Sequence, residues 1–201
     1  MCRGFKSLSR YHFQEIDMNS NTVAYRADKI LLLSCCAPCS VAVIKTLAEK
    51  NYNFSVLFYN PNIVPFAEYQ KRCLENKRVC DLYKVPFIEL PYNHIVWEKA
   101  TKGLENEPER GKRCSICFYI RLKEAMLYAK KNGYNTVASV LGVSRYKNLE
   151  QVNAAAMTAS KETGIPYLHI EGRKNGMQNL RQKLIKDWNL YSQNYCGCRP
   201  H

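Results

Sequence analysis

The chain has 201 residues, of which 46% are hydrophobic, and 30 Lys and Arg residues against 17 Asp and Glu give a formal charge of +13. This length fits one domain, and the composition suffices for a full hydrophobic core without disulfide support. The sequence contains no run of about 18 apolar residues, and its basic N-terminus lacks the apolar segment of a secretory signal. We therefore expect a cytoplasmic protein without membrane spans.

The cysteine count and the charge point to two kinds of partner. Ten cysteines in a cytosolic chain are expected to be reduced, metal-bound or catalytic rather than a disulfide framework. The excess of Lys and Arg is suited to binding a phosphate backbone. A generally basic proteome is the alternative explanation, and charge alone does not choose between DNA, RNA and an anionic lipid surface.

Apolar runs alternate with amphipathic segments from residue 29 onward. The predicted strands are residues 30–33, 54–59, 85–90, 135–141 and 165–170. The predicted helices are residues 40–50, 66–84, 93–102, 114–131, 148–163 and 177–188. Strands alternating with helices of this length favour a mainly parallel sheet. We predict a single three-layer α/β/α domain with helical insertions over residues 29–201, preceded by an N-terminal extension, residues 1–28, that shows no periodic pattern.

Three cysteines directly follow the first predicted strand, in the stretch KILLLSCCAPCS that spans residues 29–40. Cys35, Cys36 and Cys39 lie in the turn between this strand and a helix, with Pro38 suited to the first helical positions. Open α/β folds bind ligands at such turns, beyond the carboxyl ends of the strands. This turn is therefore the first candidate site.

Two further cysteine pairs have spacings that suit metal or redox chemistry. Cys114 and Cys117 are three residues apart at a predicted helix start, on one face and where the helix N-terminus favours thiolates. Cys196 and Cys198 flank Gly197, which suits either a readily reduced disulfide or a clamp for one metal ion. Four thiolates hold a [4Fe-4S] cluster, but from spacing alone a structural zinc or a redox dithiol at Cys114 and Cys117 stays open.

The other three cysteines are not predicted to take part in a site. Cys73 and Cys80 are seven residues apart on one face of a predicted helix, which is typical of small core residues. Cys2 lies in the unpatterned extension.

Loops after three of the predicted strands carry polar, cationic and aromatic side chains that suit contacts with bases or phosphates. The candidate residues for such contacts are Tyr59, Asn60, Asn62, Ser144, Arg145, Lys147, Asn148, Arg173 and Lys174. Ordinary surface loops that only turn the chain are the alternative.

Several short motifs follow one another between about residues 29 and 198. They are Cys35-Cys36-Ala37-Pro38-Cys39-Ser40, Phe58-Tyr59-Asn60-Pro61-Asn62-Ile63, Arg113-Cys114 with Cys117-Phe118 and Arg121-Leu122, Val143-Ser144 with Lys147-Asn148, Arg173-Lys174 with Gly176, and Gln193-Asn194-Tyr195-Cys196-Gly197-Cys198. Together they resemble the QueH family of epoxyqueuosine reductases.

The resemblance implies a cobalamin-independent oxidoreductase that reduces epoxyqueuosine to queuosine at the wobble position of a tRNA anticodon. It also implies a nucleotide-hydrolase-like core, a [4Fe-4S] cluster and possible binding of a second, mononuclear iron. The implied cluster ligands are Cys35, Cys36, Cys114 and Cys117, with Cys39 as a candidate ligand of the second iron. Cys196 and Cys198 match a C-terminal pair that is either a redox-active disulfide or part of the second iron site. The implied partners are tRNA carrying epoxyqueuosine and an external electron donor.

The sequence departs from the family pattern at two places. Some members have Asp at the position of Cys39, and the family often has an Asp-aromatic pair where this chain has Glu171 and Gly172.

Two other classes of function stay open from the sequence. An ATP-dependent iron–sulfur enzyme of tRNA sulfur transfer has a similar core but needs a glycine-rich phosphate loop after the first strand, where this chain has Cys-Cys-Ala-Pro-Cys. A zinc-stabilised RNA-binding module would use the thiols without redox chemistry.

Overall fold

A computed structural model describes residues 14–16 and 29–199. The strands in these residues are β1 (Gln14–Ile16), β2 (Ile30–Ser34), β3 (Phe54–Phe58), β4 (Phe87–Glu89), β5 (Thr136–Ser139) and β6 (Tyr167–Ile170). The helices are α1 (Ala37–Glu49), α2 (Phe66–Leu82), α3 (His94–Thr101), α4 (Lys112–Lys131), α5 (Leu149–Thr163) and α6 (Met177–Asp187), with a 3-10 turn at Leu141–Val143.

The described strands form one sheet in the order β1-β6-β5-β2-β3-β4, and every neighbouring pair is parallel. Strand β2 is central, with Ile30 opposite Phe54 of β3 on one side and Thr136 of β5 on the other. All residues of β2, β3, β5 and β6 are buried. Burial on both faces explains why the strands read as apolar runs rather than as alternating patterns.

Helices cover both faces of the sheet. From β2 through β3 to β4 the chain moves toward one edge of the sheet, and from β5 to β6 it moves toward the other edge. Because crossovers between parallel strands are right-handed, α1 and α2 lie on one face of the sheet and α5 lies on the other. Helix α1 packs against α2 and α6, and α4 packs against α3 and α5. The predicted three-layer α/β/α fold is confirmed.

All predicted strands after β2 are shorter than predicted: residues 54–59 become Phe54–Phe58, residues 135–141 become Thr136–Ser139, with Leu141 in the 3-10 turn, and residues 165–170 become Tyr167–Ile170. Two further differences have local causes. The predicted strand at residues 85–90 is reduced to β4, because Pro86 has no N–H to donate and Lys84 has a left-handed backbone (φ 55°). Strand β1 lies within residues 1–28, where no strand was predicted, and three residues are too few for a periodic signal. The domain boundary at residue 29 stays a prediction, but β1 pairs with β6 of the sheet.

The sheet has a switch point between β2 and β5. These strands are neighbours, yet the chain leaves them toward opposite faces, through α1 and α5. Such a divergence opens a crevice at the carboxyl ends of the two strands. The predicted Cys35 turn follows β2 and the predicted Ser144 loop follows β5, so both lie at this crevice.

None of the helices in the described ranges combines the length and the apolar character needed to cross a lipid bilayer.

Candidate metal and substrate site

The turn after β2 brings three thiols together. Cys36 has an extended backbone (φ −169°, ψ 155°) and caps α1, which begins at Ala37 with Pro38 in its first turn. The Sγ atoms of Cys35 and Cys36 are 3.8 Å apart, and the thiols of Cys35, Cys36 and Cys39 all lie within 4.8 Å of one another. All three are buried. Their spacing allows binding to a common metal centre.

Four more thiols line the same cavity. Cys114 and Cys117 come from the first turns of α4, and Cys196 and Cys198 come from the C-terminal segment around Gly197, whose φ is +92°. The cavity is open at one side, and about 1040 Å³ of space lies within it and its mouth. The structure therefore brings all seven predicted thiols to one place, from three separate parts of the chain.

Hydrogen bonds and nearby cations divide the thiols into acidic and non-acidic ones. Hydrogen bonds from Cys36 and Cys39, helped by the charges of Lys147 and Arg121, outweigh burial and hold the pKa of Cys35 well below its usual range. The pKa of Cys36 rises to about 11, first because of its hydrogen bond with Cys35. This shift favours the thiolate form of Cys35, which is the form that binds metals.

The C-terminal pair has the same asymmetry. A hydrogen bond from Cys198 is the main cause that lowers the pKa of Cys196 to about 6, and the charges of Lys147 and Arg121 act in the same direction against burial. The shared hydrogen bond raises the pKa of Cys198 far above its usual range. These opposite shifts favour a thiolate at Cys196 and a thiol at Cys198.

This donor set fits an iron–sulfur centre. The seven groups are soft sulfur ligands, the class that Fe–S clusters and zinc require, and they exceed the four that a [4Fe-4S] cluster needs. Two cations, the partly buried Lys147 and the buried Arg121, compensate the negative charge that several thiolates would bring into the cavity.

Asn60 and Asn62 of the β3–α2 loop also line the cavity. Asn60 is held in place, because its Nδ2 donates to the Ser34 carbonyl (3.0 Å) and its Oδ1 accepts from Arg121. Asn62 is buried, and its Oδ1 has no hydrogen-bond partner within the described part of the chain. This buried acceptor is available to an N–H or O–H group of a ligand.

Comparison with known proteins agrees with these features. Residues 30–199 match the family model described as epoxyqueuosine reductase QueH. The chain belongs to the QueH family. The epoxyqueuosine reductase QueH of Acinetobacter baylyi is 45% identical over 173 residues, which are 86% of this chain and 79% of the relative. The QueH of Histophilus somni is 39% identical over 189 residues, 90% of this chain and 78% of the relative.

The fold is also found among solved structures. The U34-tRNA thiolase NcsA from Methanococcus maripaludis, solved with its [4Fe-4S] cluster, aligns with a TM-score of 0.53 and 13% identity. The alignment covers 84% of this chain but only 59% of the thiolase, which is less than two thirds of its length. At this identity the likeness concerns the fold.

The candidate residues of the predicted QueH motifs divide into two groups. Asn60, Asn62, Ser144 and Lys147 line the cavity with the seven cysteines. The candidates that do not line it are Tyr59, Arg145, Asn148, Arg173 and Lys174.

All five outlying candidates have contacts within the protein. Lys174 pairs with Glu171 (3.6 Å), and the Arg145 carbonyl accepts from Arg110 Nη2 (3.1 Å). Tyr59 is buried. Asn148 caps α5 by accepting from Gln151 N (3.2 Å). Arg173 donates from Nε to Gly142 O (2.6 Å) and from Nη2 to Lys147 O (2.8 Å), so it fixes the loop that carries Lys147.

The two departures from the family pattern have clear structural settings. Cys39 joins Cys35 and Cys36 in the thiol group of the β2–α1 turn. Glu171 is buried and accepts from Arg173 N at 2.9 Å, which is a structural contact outside the cavity.

Sequence reasoning missed several residues that line the cavity. They include Arg72, Trp97, Arg110 and Arg181, none of which was predicted as a site residue, and Tyr146, whose loop was predicted to contact phosphates or bases. For Arg72 the sequence offered one signal, the Glu68–Arg72 spacing of four residues on a predicted helix, which places an acid and a base on one face. Burial of such a cation is unusual and is visible only in the structure.

Proposed function

We propose that the chain reduces the epoxide of epoxyqueuosine in the wobble position of a tRNA anticodon, giving queuosine and water. The observation that carries the proposal is the convergence of seven thiols on one open cavity in a chain whose relatives are epoxyqueuosine reductases. The substrate would place this activity in the cytoplasm.

The reaction needs two electrons and two protons. Removing the epoxide oxygen leaves a carbon–carbon double bond and releases the oxygen as water. The Cys196 thiolate and the Cys198 thiol supply two electrons and one proton when they form a disulfide, and solvent supplies the second proton. An external electron donor then reduces the disulfide. This balance requires no cobalamin.

In this proposal Cys35, Cys36, Cys114 and Cys117 hold a [4Fe-4S] cluster. When bound, the cluster supplies single-electron transfer beside the cavity. Cys39 is then the remaining thiol of the β2–α1 turn, and we propose it as a ligand if a second, mononuclear iron binds. The positive charges of Lys147 and Arg121 favour thiolates at Cys35 and Cys196 and disfavour thiol forms that would release a metal.

The surface around the cavity suits a tRNA anticodon. The chain carries a formal charge of +13. Arg145 and Tyr146 are exposed in the loop between β5 and α5, beside the cavity. We propose that the backbone binds through Lys and Arg while an unstacked wobble nucleotide enters the cavity. The affinity should then fall steeply with salt, with a log–log slope of about 0.7 for each phosphate of a single strand that is neutralised. A flat salt response would count against tRNA.

The β2–α1 turn disfavours the rival function, ATP-dependent sulfur transfer. In the orientation that satisfies its hydrogen bonds, the Asn76 side chain accepts from Cys36 N (3.2 Å) and Ala37 N (3.1 Å). Pro38 has no N–H, and Cys39 N donates to Cys36 O (3.2 Å). The N–H groups that bind a pyrophosphate in a glycine-rich loop are therefore already engaged.

The first experiment is an anaerobic purification followed by iron, zinc and sulfide analysis and a visible absorption spectrum. We expect a brown protein with at least about four irons and matching sulfide per chain, whose colour bleaches on reduction. A colourless protein with one zinc and no sulfide would overturn the proposal and favour a zinc-stabilised RNA-binding module.

The second experiment tests the C-terminal pair. In a single turnover with epoxyqueuosine-containing tRNA, mass spectrometry should detect loss of one oxygen atom from the nucleoside. We expect Cys196→Ala to retain iron and lose this product. Cys73→Ala is the matched control, because Cys73 is buried in a separate small cluster with Phe58, Ile63 and Tyr69 and does not line the cavity. Full activity of Cys196→Ala would remove the pair from the mechanism.

A further inference from the structure

Arg72 connects helix α2 to the C-terminal thiol pair. Its side chain is only 3% exposed, although arginine is rarely buried without a specific partner. The guanidinium donates from Nη1 to the carbonyl of Cys196 (2.7 Å) and from Nη2 to that of Tyr195 (3.5 Å), and it lies 5.1 Å from the Tyr195 ring centroid. One side chain thus contacts two consecutive residues of the turn that carries Cys196.

The guanidinium is itself held in one orientation. Its Nε donates to Glu68 Oε1 (2.6 Å), one helical turn earlier on α2. Glu68 also accepts from the Tyr191 hydroxyl, with 2.9 Å to Oε2. A planar guanidinium with one edge fixed on a carboxylate directs its other N–H groups along defined lines. Arg72 therefore presents its donors to the C-terminal turn as a rigid fork.

The turn depends on such contacts because residues 188–199 contain no helix or strand. Gly197 is in a left-handed conformation (φ +92°), and a Cβ there would lie 3.0 to 3.2 Å from three guanidinium atoms of Arg72. On the other side, Val64 N donates to Gly197 O (2.8 Å). The backbone between the two thiols is enclosed between α2 and the β3–α2 loop.

We propose that Arg72 is a positioning residue that holds the Cys196–Cys198 turn so that its two thiols face each other in the cavity. This inference rests on the proposed function for its catalytic consequence, and on the geometry alone for its effect on the thiol pair. Arg72 touches backbone carbonyls of the turn rather than any reacting atom. Its role is to keep the pair within reach of disulfide formation.

The direct test is the equilibrium of the pair with glutathione. Oxidised glutathione and the Cys196 and Cys198 thiols exchange to a protein disulfide and two reduced glutathiones, and alkylation with mass spectrometry measures the disulfide fraction in the metal-loaded protein. We expect Arg72→Gln to lower this equilibrium constant by roughly 10- to 100-fold, because a displacement of about 1 Å has effects of this size on paired reactants. An unchanged constant overturns the proposal.

Two further variants keep the test decisive. Arg72→Lys retains a positive charge for Glu68 and so preserves folding, but a single ammonium cannot reproduce the fork, and we expect the same direction of change. Arg78→Gln is the matched control: Arg78 lies on the same helix, pairs with Glu75 (2.7 Å) and donates to Trp188 O (3.0 Å), yet does not contact the turn. A fall of the same size in Arg78→Gln would also overturn the proposal.

Kinetics separate this inference from the proposed function. If both hold, Arg72→Lys lowers kcat while KM for tRNA and the iron content stay within about twofold of the unmodified protein, because the anticodon and cluster contacts are intact. If the unmodified protein has no reductase activity, the proposed function fails, but the glutathione equilibrium still decides the role of Arg72.

Discussion

The Nζ atom of Lys147 lies 3.6 Å from the Sγ atom of Cys35. Lys147 follows β5 and Cys35 follows β2, so this contact joins the two strands at the switch point of the sheet. The carbonyl of Lys147 accepts from Arg173 Nη2 (2.8 Å), and this hydrogen bond fixes the loop that carries Lys147. A cation is thereby held next to the most acidic thiol of the β2–α1 turn.

Lys147→Ala should weaken metal retention. Without the ammonium, the thiolate of Cys35 loses a charge partner, and loss of such a supporting group typically costs about 10- to 100-fold in metal affinity. The measurement is iron released per chain over time in the presence of a ferrous chelator under argon. Lys183→Ala is the control, because Lys183 is an exposed residue of α6 that pairs with Asp187. Equal rates of iron loss in the two variants would contradict this prediction.

Tyr146 is expected to stack on a base of the anticodon. Its side chain is 68% exposed and lines the cavity, an unusual position for a large ring without a ligand. Stacking on an aromatic ring is worth about 1–3 kcal/mol per base. Tyr146→Ala should therefore weaken tRNA binding by about 5- to 150-fold, whereas Tyr146→Phe should not.

Fluorescence anisotropy with an anticodon stem-loop measures this affinity. Leu74→Ala is a suitable control, since Leu74 is equally exposed (68%) but lies on α2 and does not line the cavity. If Tyr146→Ala binds the stem-loop as tightly as Leu74→Ala, the ring has no role in recognition.

The Glu68–Arg72 pair should make stability depend on pH in the acidic range. Burial alone would raise the pKa of Glu68, but hydrogen bonds from Arg72 and Tyr191 outweigh it and lower the pKa. A folded pKa below the unfolded value of about 4.3 stabilises the protein above that pH, and the stabilisation is lost as pH falls through the folded pKa.

Glu68→Gln should therefore be less stable than the unmodified protein near neutral pH, and the difference should shrink as pH falls below about 4.3. Urea unfolding of the metal-free protein at several pH values gives the free energies. Glu49→Gln is the control, because the exposed pair of Glu49 with Lys45 should contribute less than about 1 kcal/mol at any pH. A difference for Glu68→Gln that stays constant with pH would exclude the carboxylate as the source.

The central strands of the sheet were predictable from the sequence, because their apolar composition matches their burial in the structure. Strands β2 and β3 are apolar throughout and lie buried between helix layers, so composition alone defined them. Strand β1 has three residues and β4 begins only after Pro86, and both lie at sheet edges, where pairing with one neighbour decides their extent. No local pattern carries that information.

The thiols of the site were predictable for a related reason. Cys35, Cys36 and Cys39 follow β2, and Cys114 and Cys117 lie in the first turns of α4, positions that a parallel α/β sheet brings to one edge. Cys196 and Cys198 lie in a segment without helix or strand, and only their close spacing marked them in the sequence.

The hydrogen-bond partners of the arginine side chains near the site were not predictable from the order of strands and helices. Arg173 was predicted to contact phosphate, but its guanidinium donates to the carbonyls of Gly142 and Ser144 in the neighbouring loop. Arg72, which lies on a helix, donates to the carbonyl of Cys196 in the C-terminal turn. Both outcomes depend on contacts distant in the chain.

The last prediction concerns Gly172, where the family often has an aromatic residue. A Cβ at this position would lie 2.5 Å from Val143 Cγ2, closer than real side chains approach. Val143 is buried and directly precedes the Ser144–Lys147 loop. The Gln178 Nε2 atom donates to both the Gly172 carbonyl (2.6 Å) and the Val143 carbonyl (3.4 Å) and so bridges the two backbones. The two backbones therefore cannot separate without breaking a buried hydrogen bond.

Gly172→Ala should destabilise the protein by about 1–3 kcal/mol, the usual cost of overpacking, and should also lower activity because Lys147 shifts with its loop. Val143→Ala removes the clashing methyl groups, so the double variant should be more stable than the sum of the two single effects predicts, by at least about 0.5 kcal/mol. Urea midpoints of the four proteins give this coupling. Strict additivity would mean that Val143 does not set the space at residue 172, and that an aromatic side chain could be accepted here by a local adjustment of β6 alone.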